Sequence, residues 1–398
     1  MRFVLRFVFL LAVLACAPAH SQQPAQQAPQ QAVSIGAVMP QTGMLADLAA
    51  DLRKALLLWQ EQVNAAGGLL GRRVELLLID DRSESTVAGK LYEQLIRESK
   101  VDLLIGPLGS AASLGAAGAA ERNRRVLINA TGSARSVQKA NFRYVFQTAT
   151  PLSAWGTGAL EAARAQGLKS LLLLARDDPT SREMASRARE MALAMGFTVG
   201  EAEAHSAGAD DFTPQVQRAR AAGVEAWITF GLPQDAFEMV KTFRRQRYTP
   251  RLFAAQGAAS AEFIKRVGQD AEYTLGMSAY DKRARTPGNA EFVRDFAQKW
   301  SAEPGELAAE GYAAAKILEE AVKRAGSFDQ EKLREALVAL ETATPLGAYK
   351  VDRAGAQLAA QVLLLQVQRG RREIVWPEAL ATAKWQPYPA WEARKPLK

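Results

Sequence analysis

The chain has 398 residues, 48% of them hydrophobic and 23% charged, and carries a net charge of +8 from 50 Lys and Arg against 42 Asp and Glu. That length can fill two domain cores, and that composition excludes a disordered or fibrous chain. The basic residues are interspersed with acids and form no continuous track, so no nucleic-acid partner is expected.

Arg2 and Arg6 flank the start of an apolar run, FVFLLAVLA at 7–15, that is too short to span a bilayer comfortably. Small residues at Ala19 and Ser21 then suit a signal peptidase, so residues 1–21 are expected to be a signal peptide. VLAC at 13–16 offers the alternative of a lipoprotein anchor at Cys16, with Leu14 a poor fit to that box. Cys16 is the only cysteine, so cleavage at Ser21 would leave neither disulfides nor thiol chemistry. Residues 22–32 are polar and proline-containing, a tether rather than a core element.

Beyond the tether, short apolar runs alternate with amphipathic stretches. Strands are expected at 33–39, 73–80, 101–105 and 125–129, and helices at 45–65, 86–99 and 110–123. A second series follows Pro151, with helices at 153–166, 180–195, 213–222 and 234–245 and strands at 170–175, 197–204, 226–230 and 252–255. Helices dominate 289–340, and hairpin material closes the chain at 347–352, 360–368 and 373–376. Strand–helix alternation of this kind means α/β lobes with parallel sheets covered on both faces. Helices and hairpins arriving after both series imply more than one crossing between lobes. Trp376, Trp385 and Trp391 read as anchors for a C-terminal tail.

In open parallel sheets, ligands lie beyond the carboxyl ends of the strands. In the first series those ends carry GPLGS at 106–110 and NATGS at 129–133, rich in glycine, hydroxyls and amides. Ser110 opens a helix, whose free N–H groups favour an anion such as a carboxylate, although glycine and serine also serve as plain turn and cap residues. Catalytic signals are thin. His20 leaves with the signal, His205 stands alone, and no metal-ligand spacing, P-loop or nucleophile elbow occurs. No catalytic residue, metal or cofactor is expected. Asp80 and Asp81 read as a loop or cap pair.

The motifs IGAVMPQTG (35–43), VNAAGGLLGRRVELLLIDDRS (63–83), VDLLIGPLGSAAS (101–113), FRYVFQT (142–148), ASAEFIKRVG (259–268) and TPLGAYKVD (344–352) occur in the order found in one family. The chain resembles the periplasmic solute-binding proteins of branched-chain amino acid ABC importers. The resemblance implies a type I periplasmic binding fold: two Rossmann-like parallel-sheet lobes joined by three crossovers. It places lobe 1 at 33–149 and 281–357, lobe 2 at 150–280 and 358–380, and a tail at 381–398. It also implies a periplasmic, monomeric protein that delivers a small ligand to an inner-membrane permease and its ATPase. A ligand sensor on the same fold is the alternative, and an α/β enzyme a third reading.

Family roles carried over by position make Ser110, with Gly109 before it, the grip on a ligand carboxylate, and Thr131, Gly132 and Ser133 the loop beside it. Leu48 stands where the first loop often has an aromatic. In lobe 2, Ser181 and Leu232 (or its neighbour Gly231) replace common tyrosines, and Gln256 replaces the acid that would pair with a ligand ammonium. A neutral amide is a weaker partner for ammonium than a carboxylate. The expected ligand therefore bears a carboxylate or similar acceptor group and lacks an α-amine, an aromatic or aliphatic acid or an amide, unless Asp177, Asp178 or Asp235 pairs with the amine of an amino acid-like ligand instead.

Overall fold

The computed structural model describes residues 31–139 and 141–394, so the expected signal peptide and most of the tether lie outside it. The first sheet contains β1 (Val33–Met39), β2 (Val74–Asp80), β3 (Leu103–Ile105), β4 (Leu127–Asn129) and β5 (Val145–Gln147). Between these strands run α1 (Ala46–Ala65), α2 (Ala88–Arg97), α3 (Ser110–Arg122) and α4 (Arg135–Lys139). All of its strands are parallel, in the order β2-β1-β3-β4-β5.

The second sheet begins with β6 (Ser170–Arg176), β7 (Thr198–Val199), β8 (Glu203–His205), β9 (Ala226–Phe230), β10 (Leu252–Gln256) and β11 (Leu275–Ser278). Its helices are α5 (Thr157–Ala165), α6 (Pro179–Ala194), α7 (Thr213–Ala221), α8 (Pro233–Gln246) and α9 (Ala261–Val267). The chain then returns to the first sheet as α10 (Asn289–Trp300), α11 (Glu306–Ala325), α12 (Gln330–Val338) and a small hairpin, β12 (Thr342–Thr344) with β13 (Gly347–Tyr349). Finally β14 (Leu363–Gln368) and β15 (Arg371–Trp376) join the second sheet antiparallel, giving the order β15-β14-β11-β10-β9-β6-β7 with β8 also beside β6. The result is two α/β lobes with three crossovers, after β5, β11 and β13.

The apolar strand runs serve both faces of each sheet. Leu171 and Leu173 enter one core with α5 and α6, while Leu172 and Leu174 enter the opposite core with α7 and α8. This is the period of a strand buried on both sides. Each such leucine contributes roughly 2 kcal/mol of burial free energy. In the first lobe, α1, α11 and α12 cover one face and α2 and α3 the other.

Some elements depart from the sequence expectations. The strand expected at 197–204 is two short pieces. β7 pairs with the start of β6 and β8 with its end, and residues 200–202 step between them. The helix expected at 86–99 opens as a 3-10 turn, Ser85–Val87, before α2. β11 lacks a clear strand signal because Gly276 interrupts its four residues. A Cβ there would stand 2.5 Å from the main-chain nitrogen of Ala259, so close packing requires the glycine.

Asp80 secures the loop after β1. Its carboxylate accepts hydrogen bonds from the N–H of Gln41 (2.8 Å) and from the hydroxyl of Thr42 (2.7 Å). Partial desolvation pushes its pKa up, but these bonds and that from Arg82 N–H prevail and lower it to about 2. The tail is anchored on the second lobe: Trp391 Nε1 donates to the Tyr248 carbonyl at 2.9 Å, and Trp376 and Trp385 pack on the β6–β9 core.

Candidate functional site

The first half of the site is the junction of β3 with α3. Gly109 precedes the helix at φ +82°, with nothing within 4 Å of where a Cβ would sit, so the backbone angle, not space, demands glycine. No side chain caps α3. Its first-turn N–H groups therefore lack intrahelical partners and form the partially positive end of the helix dipole. The Ser110 hydroxyl accepts the N–H of Ala134 at 3.0 Å, which brings Ser110 beside Ser133.

Three of the expected residues brace this junction. Thr131 Oγ1 accepts the Gly109 N–H at 2.7 Å and donates to the Pro107 carbonyl at 2.8 Å, so its single proton is committed. Gly132 N–H donates to Asn129 Oδ1 at 2.9 Å, and its carbonyl accepts from Asn129 Nδ2 at 2.8 Å. A Cβ on Gly132 would lie 2.5 Å from the Ser113 side chain. The Gly109 N–H, the Thr131 hydroxyl and the Gly132 N–H, expected to meet a guest directly, are thus taken up within the protein. Ser110, Ser133 and the first turn of α3 keep free donors.

Ser133 also sits where the lobes touch. Its carbonyl accepts the Leu152 N–H at 3.1 Å, and Arg135, the first residue of α4, donates its N–H to Glu183 on α6 at 3.1 Å. Ser133 lines a polar cavity of about 400 Å³ with Gln147, Ser153, Glu183 and Arg187. Leu48 is 53% exposed on the first turn of α1, next to exposed Met44 and Leu45.

In the second lobe, Leu232 and Gln256 come together and Ser181 does not join them. Asp178 caps α6 by accepting the Ser181 N–H at 2.9 Å and the Ser181 hydroxyl at 2.8 Å. Ser181, expected to meet the ligand, is buried with its N–H and its hydroxyl both donated to Asp178. Leu232, at the N-cap of α8, and Gln256, at the end of β10, line a pocket of about 310 Å³ with Trp155, Ser278, Glu306 and Arg372. The alternative amine partners are all engaged. Buried Asp235 binds Arg176 at 3.2 Å and the Leu232 N–H at 2.7 Å, Asp178 caps α6, and Asp177 binds Arg182 at 2.6 Å.

Sequence reasoning missed Trp155, Glu306 and Arg372. Glu306 is the first residue of α11, where an acid reads as an ordinary complement to the helix dipole. Only the second crossover brings it against the end of β11. There its Oε2 accepts Ser278 Oγ–H at 3.1 Å and Ala279 N–H at 3.2 Å. Burial raises its pKa, and burial together with the Glu306 charge raises that of Glu310, one turn on, well above the usual carboxylate range. Among the described residues, no cluster of His, Cys, Asp and Glu could hold a metal ion, and no helix is long and apolar enough to cross a membrane.

The periplasmic binding protein family matches residues 32–372 of this chain. A Pseudomonas aeruginosa relative, described as a leucine-, isoleucine-, valine-, threonine- and alanine-binding protein, is 23% identical over 327 residues, covering 81% of this chain and 86% of its own. A leucine-binding protein from Thermotoga maritima superposes with a TM-score of 0.68 at 25% identity, over 86% of this chain and 97% of that one. An R. palustris ABC-transporter solute-binding protein, solved in complex with benzoate, gives a TM-score of 0.66 at 20% identity, over 91% of this chain and 98% of that one. With both lobes and all three crossovers inside the matched span, the chain belongs to the periplasmic binding protein family, with the type I fold of its branched-chain amino acid transport members.

Proposed function

We propose that this protein captures a small carboxylate-bearing molecule between its lobes and delivers it to the permease of an ABC importer, without catalysing a reaction. The observation that carries the reading is the Ser110–Ser133 junction at the uncapped start of α3. Uncharged donors and a helix N-terminus suit an anion, and no Lys or Arg is needed to hold it. Closure of the lobes would bury the guest, and its greater affinity for the closed form would drive the shift. Export by the signal peptide, with cleavage at Ser21 rather than lipidation at Cys16, places the protein in the periplasm, where its family acts.

The second lobe narrows the ligand class. Gln256 offers an amide where an ammonium would want a carboxylate, and Asp177, Asp178 and Asp235 all serve other partners. This favours an acid without an α-amine, aromatic or aliphatic, over an α-amino acid. The fold itself serves both kinds: the Pseudomonas relative is named for amino acids, while the R. palustris protein holds benzoate.

The test is a thermal-shift panel on the mature protein, built from α-amino acids, their deaminated acids and the corresponding amides. Ligand at a hundred times its Kd stabilises the bound form by about 2.7 kcal/mol, a readily measured shift. Deaminated acids should raise Tm at least as much as their α-amino counterparts. A rise with α-amino acids alone would overturn the reading of Gln256, and a rise only with compounds lacking an acidic group would overturn the carboxylate grip.

A further inference from the structure

The pocket at the hinge end of the second lobe is charged in a way that the carboxylate grip does not use. Glu306 comes from α11, which packs in the first lobe, yet it lines a pocket otherwise walled by second-lobe residues. Its carboxylate accepts from the Ala279 N–H and shares the Ser278 hydroxyl with the Tyr280 carbonyl, which lies nearer that hydroxyl at 2.8 Å. Among the described residues, no Lys or Arg nitrogen lies within 4 Å of Glu306 or Glu310. Glu310 is 8% exposed and its carboxyl group makes no hydrogen bond with the described residues. Arg372 lines the same pocket, but its nearest carboxylate is Asp281, at 3.9 Å. A half-buried carboxylate with oxygen lone pairs to spare, facing a cavity and lacking a cation, is costly to leave unmatched.

We infer that Glu306 is the anchor for a cationic nitrogen of the ligand, an ammonium or guanidinium remote from the carboxylate rather than α to it. The inference rests on the proposed carboxylate grip at Ser110 and extends it to the opposite end of the guest. Burial raises the Glu306 pKa and the hydrogen bonds from Ser278 and Ala279 only partly oppose that rise, so a cation bound beside it would supply the charge that favours the ionised form. Trp155 lines the same pocket and offers an apolar wall for the carbon chain between the charged ends. Because Glu306 arrives from the first lobe and Gln256 from the second, a nitrogen held there contacts both lobes and favours the closed form.

The experiment is isothermal titration of the mature protein with matched pairs of straight-chain acids of several lengths, each with and without a terminal amine, together with butylamine. Wild type, Glu306→Gln and Glu306→Asp are compared, with melting curves to show that each variant folds. The terminal amine should tighten binding about tenfold or more at the best length. That ratio should fall towards one in Glu306→Gln and recover in part in Glu306→Asp. A ratio near one in wild type, or one unchanged by Glu306→Gln, overturns the inference while leaving the carboxylate grip standing. Glu306-dependent binding of butylamine with no binding of plain acids would support the inference and overturn the carboxylate grip. No binding by any probe overturns both.

Discussion

Ser110 Oγ lies 3.0 Å from the main-chain nitrogen of Ala134, so the first residue of α3 is tied to the loop that follows β4. The hydroxyl is the acceptor in that bond. Its own proton, and the first-turn N–H groups beside it, remain for a guest. One short contact thus fixes two loop ends from different strands into a single donor surface, held by a network that runs through Gly109, Thr131, Gly132 and Asn129.

That network has no slack at Gly132. Gly132→Ala should destabilise the protein by roughly 1–3 kcal/mol, because the added methyl overlaps the Ser113 side chain and Asn129 Oδ1. Urea unfolding would show this as a lower midpoint with an unchanged slope. A wild-type midpoint would mean that the loop can shift freely, contrary to the bracing role given to Thr131 and Gly132.

Asp235 should matter for folding first. It is buried, pairs with Arg176 and receives the N–H of Leu232. Asp235→Asn leaves Arg176 with only the longer contact to Asp178, at 3.9 Å, and should cost about 3 kcal/mol in a denaturant titration. A loss of ligand affinity with no loss of stability would instead return Asp235 to the list of amine partners.

The carboxylates on α11 give a pH signature. Burial, followed by the charge of Glu306, raises the Glu310 pKa above its unfolded value. The folded protein therefore binds the extra proton, and stability falls as pH rises from the unfolded value towards the raised folded one. Each unit of that rise is worth about 1.4 kcal/mol. Glu310→Gln should be more stable than wild type at pH 8, with the difference shrinking towards pH 5. A difference independent of pH over that range would contradict the buried, unpaired state of Glu310.

How much of this was legible in the sequence depends on how local the cause is. The runs at 171–174 and 226–230 announce themselves because strands covered on both faces must be apolar throughout. Ser110 is legible because a glycine-rich run after an apolar strand, ending in a hydroxyl, marks a helix start, and Gly109 there takes a positive φ. β11 is not, because Gly276 answers a distant backbone, that of Ala259, and weakens the local strand signal. The setting of Ser181 is not legible, because a family position says nothing of where a hydroxyl points, and here it donates to Asp178, the N-cap three residues earlier. Glu306 is invisible for the opposite reason: its neighbours in space, Ser278 and Gln256, arrive only through the crossover after β11.

The most direct test of the central claim is a calorimetric titration of wild type and Ser110→Ala with a carboxylic acid that stabilises the mature protein. If the acid group sits at the start of α3, the variant should bind it about 1–3 kcal/mol more weakly, while its melting temperature without ligand stays near that of wild type. Equal affinity for the two proteins would contradict the account, and would place the acid somewhere other than the Ser110–Ser133 junction.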